Sequence, residues 1–280
     1  MSTREKSLAE LSPDDIVRLC EINFIDYWRA ACDSNNAEFR EESGATFAYT
    51  GIQQEIFNVV LRTSFDEDTA DAATDSVISY FKARQSPLLW YAGLLCTPRD
   101  MGKRLEAKGF PHDYDLTAMA IDLELVMGDF LEPQGLVVRT VRNASDSRKW
   151  TECLASSWES PRELVPWMMA NPCYNVELRP KSGKEMSRRM YLGLIGDEPV
   201  GTCMLNWSDD VAGLQTVGTL KSARYKGVGS AVIAAALREA RDLGFKIVVV
   251  LSTVDGVKLY SRLGFRIFGK LPEHSMYFNR

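Results

Sequence analysis

The stretch from Val217 to Leu243 reads VGTLKSARYKGVGSAVIAAALREARDL and decides how the second half of the chain folds. An apolar run around Leu214 predicts a strand, a polar turn follows, and an Ala- and Leu-rich segment predicts a long helix. Gly227 and Gly229 stand two residues apart in the turn, where they let the backbone approach a ligand closely. The free N–H groups and the positive end of the helix point back into this turn. The stretch therefore predicts a seat for a phosphate or pyrophosphate.

The turn can be compared with the known phosphate loops. A Walker loop ends in Gly-Lys-Ser/Thr, and the sequence after Gly229 lacks the lysine. A dinucleotide fingerprint needs a third glycine, and Ala231 or Val232 stands in its place. The pattern that fits is Arg-x-x-Gly-x-Gly, which begins at Arg224 and includes Gly227. A tight turn with close packing is the structural alternative for the glycine pair.

Arg-x-x-Gly-x-Gly resembles the acetyl-CoA loop of the GCN5-related N-acetyltransferase (GNAT) superfamily. Downstream, Leu259–Phe265 reads LYSRLGF and resembles that family's second signature, a short helix ending in Leu-Gly-Phe. The resemblance covers about Val137 to Arg280. It implies an α/β (α+β) fold, with a mixed sheet flanked by helices and acetyl-CoA as the acyl donor.

The resemblance also implies where the acyl-CoA lies. Strands at Leu214–Leu220 and Phe245–Ser252 splay apart in this family, and the cofactor occupies the gap. Backbone groups of the first strand would bind the pantetheine amides, and the glycine loop would hold the pyrophosphate. The expected cofactor-binding residues are Val217, Gly218, Thr219, Leu220, Arg224, Tyr225, Lys226, Gly227, Val228, Gly229 and Ser230.

The chemistry implied is direct attack of an amine on the thioester. Tyr260 stands where the family often has its general acid, since a phenol can protonate the departing thiolate; a core tyrosine is the alternative. A backbone N–H around Leu220 is the expected oxyanion donor. The general base is poorly marked. The candidates weighed are Asp209 and Asp210 in a turn, Glu198 in a hairpin, His274 read as a surface histidine, and a water relay.

The acceptor leaves few marks in the sequence. An apolar cluster is expected on the substrate side, either lining the pocket or belonging to the core: Trp158, Trp167, Met168, Met169 and Tyr174. Trp28 or Trp90 of the first half are candidates for the other side of the pocket. We expect a small-molecule primary amine rather than a protein amine.

Composition limits the other partners. The chain has 280 residues, 45% of them hydrophobic and 25% charged, with a net charge of -5, which argues against nucleic acid or an anionic membrane as partner. The N-terminus lacks the apolar core of a secretory signal, and no apolar run approaches the ~18 residues of a membrane helix. Scattered cysteines and only two histidines predict no metal site, reduced thiols and a cytoplasmic protein, either monomer or homodimer.

The first half carries a possible repeat of the second. Lys103–Phe110 parallels Lys258–Phe265, each following an apolar strand and ending in Gly-Phe. The parallel indicates either a degenerate acetyltransferase-like copy or two ordinary helices that end in glycine. A copy would be silent, because the first half lacks Arg-x-x-Gly-x-Gly and has Leu105 where Tyr260 stands. We expect domains at 1–129 and 130–280, the first degenerate or on the substrate side.

Three functions compete. The first is an active N-acetyltransferase, and the second is a catalytically silent protein that binds or senses acyl-CoA. The third, a dinucleotide-dependent reductase, is disfavoured by the missing glycine and by the absence of an acidic ribose ligand.

Overall fold

The computed structural model describes residues 6–34, 36–125, 133–161, 163–184 and 187–278. The helices of these ranges are α1 (Pro13–Ala31), α2 (Ala70–Lys82), α3 (Met101–Ala107), α4 (Ala144–Ser157), α5 (Leu164–Met169), α6 (Val228–Asp242) and α7 (Val254–Arg262). The strands are β1 (Glu38–Glu42), β2 (Ala45–Tyr49), β3 (Asn58–Thr63), β4 (Leu88–Tyr91), β5 (His112–Asp122), β6 (Leu136–Thr140), β7 (Arg188–Ile195), β8 (Glu198–Trp207), β9 (Ala212–Thr219), β10 (Ile247–Ser252) and β11 (Arg266–Met276). The expected boundary at 129 and 130 lies outside the described residues.

The described strands form a single eleven-stranded sheet in the order β1-β2-β3-β4-β11-β5-β10-β9-β8-β7-β6. The strands on the two sides of the central pair β11 and β5 correspond to each other. Counted outward, β4, β3, β2 and β1 on one side match β10, β9, β8 and β7 on the other. The pairs β3–β4 and β9–β10 are parallel, and the pairs flanking them are antiparallel on both sides. An approximate two-fold relation therefore connects the halves, with β6 as an additional edge strand.

The two halves exchange their central strands. The first-half strand β5 pairs with β10, with Ile247 opposite Asp122 and Ser252 opposite Thr117. The second-half strand β11 pairs with β4, with Glu273 opposite Tyr91. Each half therefore completes the sheet of the other.

The Gly-Phe segments have the same geometry. Phe110 N–H donates to Leu105 O at 2.9 Å, and Phe265 N–H donates to Tyr260 O at 3.0 Å. Gly109 has φ +87° and Gly264 has φ +99°, the left-handed conformation that ends a helix. Because strand order and helix ends agree, the parallel is a structural repeat.

The helices cover both faces of the sheet. Apolar residues of α6 and α7 pack with Val248 and Val250, and α2 and α3 lie on the same face of the first half. Helix α1 packs on the opposite face against Ile247 and Val249, where α4 and α5 also lie. Alternation along β10 thus supplies both cores. Helix α1 begins at Pro13, where the preceding Ser12 accepts from Asp15 N–H at 3.1 Å and caps the helix.

Two strands run against local sequence signals. Strand β1 reads EFREE, and its charged residues lack the apolar alternation typical of a strand. Strand β11 is continuous from Arg266 to Met276 although Pro272 lies within it. A register shift at Gly269 and the carbonyl of Pro272, which accepts from Ala92 N–H at 3.0 Å, keep the ladder intact.

Candidate functional site

Strands β9 and β10 separate after a short parallel contact. Their pairing is confined to Val248 opposite Ala212 and Val249 opposite Gly213. Strand β9 continues to Thr219 and leads toward the start of α6. The expected splaying is therefore present, and the split opens toward the glycine loop.

A β-bulge lies at the split. The register between β8 and β9 shifts, so that Thr202 faces Gly218 whereas Met204 faces Gln215. Thr216 adopts φ +50°, which is uncommon for a β-branched residue. Within the part of the chain that the structure describes, its buried Oγ1 has no hydrogen-bond partner. Strain and an orphaned hydroxyl together indicate a constrained site rather than routine strand structure.

The backbone of β9 beyond the bulge alternates in direction. Leu220 N–H donates to Val200 O of β8 at 3.1 Å, so this N–H is engaged in the sheet and Leu220 itself is not the oxyanion donor expected around this position. The carbonyls of Val217 and Thr219 accept from side chains instead, Trp158 Nε1 at 3.3 Å and Arg224 Nε at 3.2 Å. These two carbonyls therefore face away from β8, into the split.

The glycine loop presents the free end of α6. Gly227 is the N-cap with φ +83° and has no side-chain capping bond. The first bond of the helix runs from Ala231 N–H to Gly227 O at 3.0 Å, so the N–H groups of Val228, Gly229 and Ser230 lack intrahelical acceptors. These groups and the helix dipole fit a pyrophosphate.

Close packing fixes the second glycine of the loop. A Cβ on Gly229 would lie 3.2 Å from Leu259 Cδ2 and 3.2 Å from Thr219 Oγ1. Gly227 therefore serves conformation and Gly229 serves packing between α6, α7 and β9. Tyr225, also in the loop, adopts φ +61° with its ring fully exposed.

The loop's positive charges have different surroundings. Arg224 bridges α4 and β9, since its second guanidinium bond runs from Nη2 to Ser157 O at 3.0 Å. Lys221 pairs with Glu159 at 2.7 Å. Lys226 is exposed beside the start of α6. Long-range attraction from Lys226 is therefore available to an anion at the loop.

Tyr260 lies in the core formed by α6, α7 and the sheet. Its ring is 5% exposed and meets Phe265 edge to face, with centroids 5.2 Å apart. Burial, and secondarily the nearby Cys203 thiol, raises the pKa of Tyr260 well above that of a free phenol. The hydroxyl is therefore protonated at neutral pH, which is the form a general acid requires.

The general-base candidates lie poorly for that role. Asp209 and Asp210 occupy the β8–β9 turn, at the end of β9 opposite the split. Glu198 begins β8 at an exposed hairpin. His274 was expected at the surface and is instead 2% exposed in the first-half core, with Nδ1 3.3 Å from Phe110 O.

Most of the expected acceptor cluster belongs to the core. Trp167 is 8% exposed and donates from Nε1 to Asn36 O at 3.3 Å, and the hydroxyls of Tyr174 and Tyr27 are 2.7 Å apart. Trp158, in contrast, is 41% exposed beside the split. Trp28 and Trp90 are buried, so neither lines an open pocket.

Helix α1 reaches β9 through a residue that sequence reasoning missed. Gln215 Nε2 donates to Asn23 Oδ1 at 3.0 Å, and Asn23 Nδ2 donates to Asn206 O at 3.2 Å. A Cβ on Gly213 would overlap Asn23, so this glycine permits the contact. No spacing in the sequence signals a contact between residues so far apart.

The equivalent split of the first half is filled. Strands β3 and β4 pair at Val59 with Leu89 and at Val60 with Trp90, and then diverge. Thr97 enters the gap: its N–H donates to Thr63 O at 2.9 Å, and its carbonyl accepts from Phe65 N–H at 3.1 Å. The chain itself thus occupies the first-half split.

Comparisons with known proteins agree with this geometry. Residues 150–265 match the model of the Acetyltransferase (GNAT) family. Residues 150–265 are therefore a GNAT domain, and the first half is GNAT-like by fold. A sequence comparison with curated proteins gave no significant match.

Solved structures extend the likeness to nearly the whole chain. A GCN5-related N-acetyltransferase from Kribbella flavida has a TM-score of 0.66 at 14% identity, covering 92% of this chain and 96% of its own. One from Sphaerobacter thermophilus gives 0.62 at 15% identity, covering 94% and 93%. A tandem GNAT protein from the clavulanic acid biosynthesis pathway gives 0.58 at 12%, covering 96% and 98%. At these identities the likeness concerns the fold. Among the described residues, no helix is long and apolar enough to cross a membrane.

Proposed function

We propose that this protein moves an acetyl group from acetyl-CoA to a primary amine of a small molecule by direct attack. The observation that carries the proposal is the split between β9 and β10, which opens onto the uncapped start of α6. An N-terminus without a side-chain cap suits a pyrophosphate, and inward-facing strand carbonyls suit an amide-containing arm. Membership of the GNAT family supports acyl-CoA as the donor.

The protein's residues divide the work. The N–H groups of Val228, Gly229 and Ser230 would hold the pyrophosphate, with Lys226 adding charge. The carbonyls of β9 would orient the arm that carries the thioester, the group whose acyl carbon the amine attacks. As the new C–N bond forms and the C–S bond breaks, the Tyr260 hydroxyl would give its proton to the departing thiolate. The amine's surplus proton leaves to water or an acceptor-side base.

Calorimetric titration with acetyl-CoA tests the proposal. Wild-type protein is expected to bind at micromolar concentration. Gly227→Glu places a carboxylate in the pyrophosphate seat and is expected to weaken binding about 100-fold or more through repulsion at short range. Gly109→Glu is the matched control, because Gly109 also has a left-handed φ and lies in the first half.

Amine-dependent release of CoA thiol then separates catalysis from binding alone. Turnover with a small amine supports the transferase. Saturable binding without turnover across a broad amine panel indicates the silent acyl-CoA-binding protein instead. Absence of acetyl-CoA binding by the folded wild type would refute both.

A further inference from the structure

Trp158 lies at the edge of the split between β9 and β10. It is the C-cap of α4, and its indole Nε1 donates to Val217 O at 3.3 Å. Trp158 is 41% exposed, so solvent reaches it, in contrast to the buried tryptophans of the core. Trp167 is a buried counterpart, because its indole N–H likewise donates to a backbone carbonyl, that of Asn36.

The acceptor of this hydrogen bond, Val217 O, lies in the proposed cofactor site. Val217 O points into the split, where the proposed function places the amides of the acyl-CoA arm. A strand carbonyl in that position is a natural acceptor for an amide N–H. The indole N–H offers the same chemistry, so in the free protein Trp158 takes the bond that the arm would make.

The residues on both sides of Trp158 are tied to the cofactor loop, whereas its side chain makes one hydrogen bond, to Val217 O. Arg224 Nη2 donates to Ser157 O, and Lys221 pairs with Glu159, so the residues on both sides are tied to the cofactor loop. A Cβ on Gly218 would overlap Ser157 Oγ, which shows how closely the end of α4 lies on β9. Rotation of the indole alone therefore suffices to free Val217 O.

We propose that Trp158 holds the Val217 carbonyl in the free protein and yields it to an amide N–H of the acyl-CoA arm. Trp158 thereby sets the affinity for ligands that carry pantetheine. This inference rests on the proposed function and adds a residue to it.

Trp158→Phe tests the inference, because phenylalanine keeps an aromatic ring and removes the N–H. Acetyl-CoA is expected to bind about five-fold more tightly to the variant, the factor that a net hydrogen bond represents. Adenosine 3′,5′-bisphosphate, which lacks the pantetheine arm, is expected to bind both proteins equally. Trp167→Phe removes the matched indole bond and should leave both affinities unchanged.

Two further measurements guard against a misfolded variant. Trp158→Leu should repeat the gain, and thermal melts should show both variants folded. In the wild type, acetyl-CoA should change tryptophan emission, and Trp158→Phe should lose most of that change. If both folded variants bind acetyl-CoA no more tightly than the wild type, the inference is overturned. The proposed function still stands in that case, provided that the wild type binds acetyl-CoA. A wild type that binds no acetyl-CoA instead refutes the proposed function.

Discussion

The splits between parallel strands begin in the same way in the two halves but differ in what contacts the strand backbone beyond them. Each opens after two parallel pairs, at Val59 and Val60 in the first half and at Ala212 and Gly213 in the second. In the first, Thr97 extends along the end of β3 and satisfies its backbone. In the second, side chains reach the carbonyls of β9 from the rim. The chain itself therefore occupies in the first half the position that stays open in the second.

The two halves also differ in the charge beside the helix that follows each split, α2 in the first half and α6 in the second. Asp66, Glu67 and Asp68 precede α2, whereas Arg224 and Lys226 precede α6. Acidic groups at a helix N-terminus favour the helix and repel a phosphate, and basic groups do the opposite. Acidic residues here also form ion pairs within the first half, since Arg104 pairs with Glu67 and with Asp71. Occupancy of the split and the acidic charge both support our proposal that the first half binds no acyl-CoA, although it has a GNAT-like fold.

The largest expected effect comes from separating the halves. Residues 1–129 and 130–280 expressed alone should lack cooperative unfolding, because each loses the strand that the other supplies. Co-expression should give a stable complex that copurifies. Thermal melts and size-exclusion chromatography check this, and a fragment that melts cooperatively alone would show that the halves are independent.

The second expected effect concerns Tyr260, which stands where the first half has Leu105. Tyr260→Phe should lower kcat about 100-fold by removing the proton donor, with little change in acetyl-CoA affinity. Because burial raises the pKa of Tyr260, its acid form persists as pH rises, so its loss should not alter the alkaline limb below pH 10. Tyr191→Phe, in the same core, is the control. An unchanged rate in Tyr260→Phe would mean that another group or water protonates the thiolate.

The smallest effect concerns the filling of the first split. Thr63 is fully buried, and its Oγ1 donates to Thr97 O at 3.2 Å. Thr63→Val should lower the free energy of unfolding by about 1 kcal/mol, the net value of one such bond. Chemical denaturation measures this, and calorimetry should still give one acetyl-CoA per chain. A second bound acetyl-CoA would show that the hydrogen bond between Thr63 and Thr97 is what excludes acetyl-CoA from the first-half split.

Local signals in the sequence predicted the elements that depend on local physics. Ser12 starts α1, Gly109 ends α3, and Gly227 starts α6, because each position requires a particular side chain or φ. The position of the split followed from the resemblance and agrees with the structure. These features are determined by residues close together in the chain.

Contacts between distant residues escaped prediction. The bond from Trp158 to Val217 and the entry of Thr97 beside Thr63 depend on tertiary packing, which no spacing records. The ladder bond of Leu220 depends on strand register, which the bulge at Thr216 shifts. The sequence therefore locates the loop and the helix, and only the fold shows which backbone groups remain available.

The exchange of β5 and β11 has a consequence for biosynthesis. Strand β5 leaves the ribosome long before Arg266–Met276, yet the sheet of the first half has a gap between β4 and β5 until that segment arrives. During translation the edges of β4 and β5 are therefore exposed to mispairing. We expect the nascent chain to be a chaperone client over this interval and to mature late, in one step, when its last described strand is inserted.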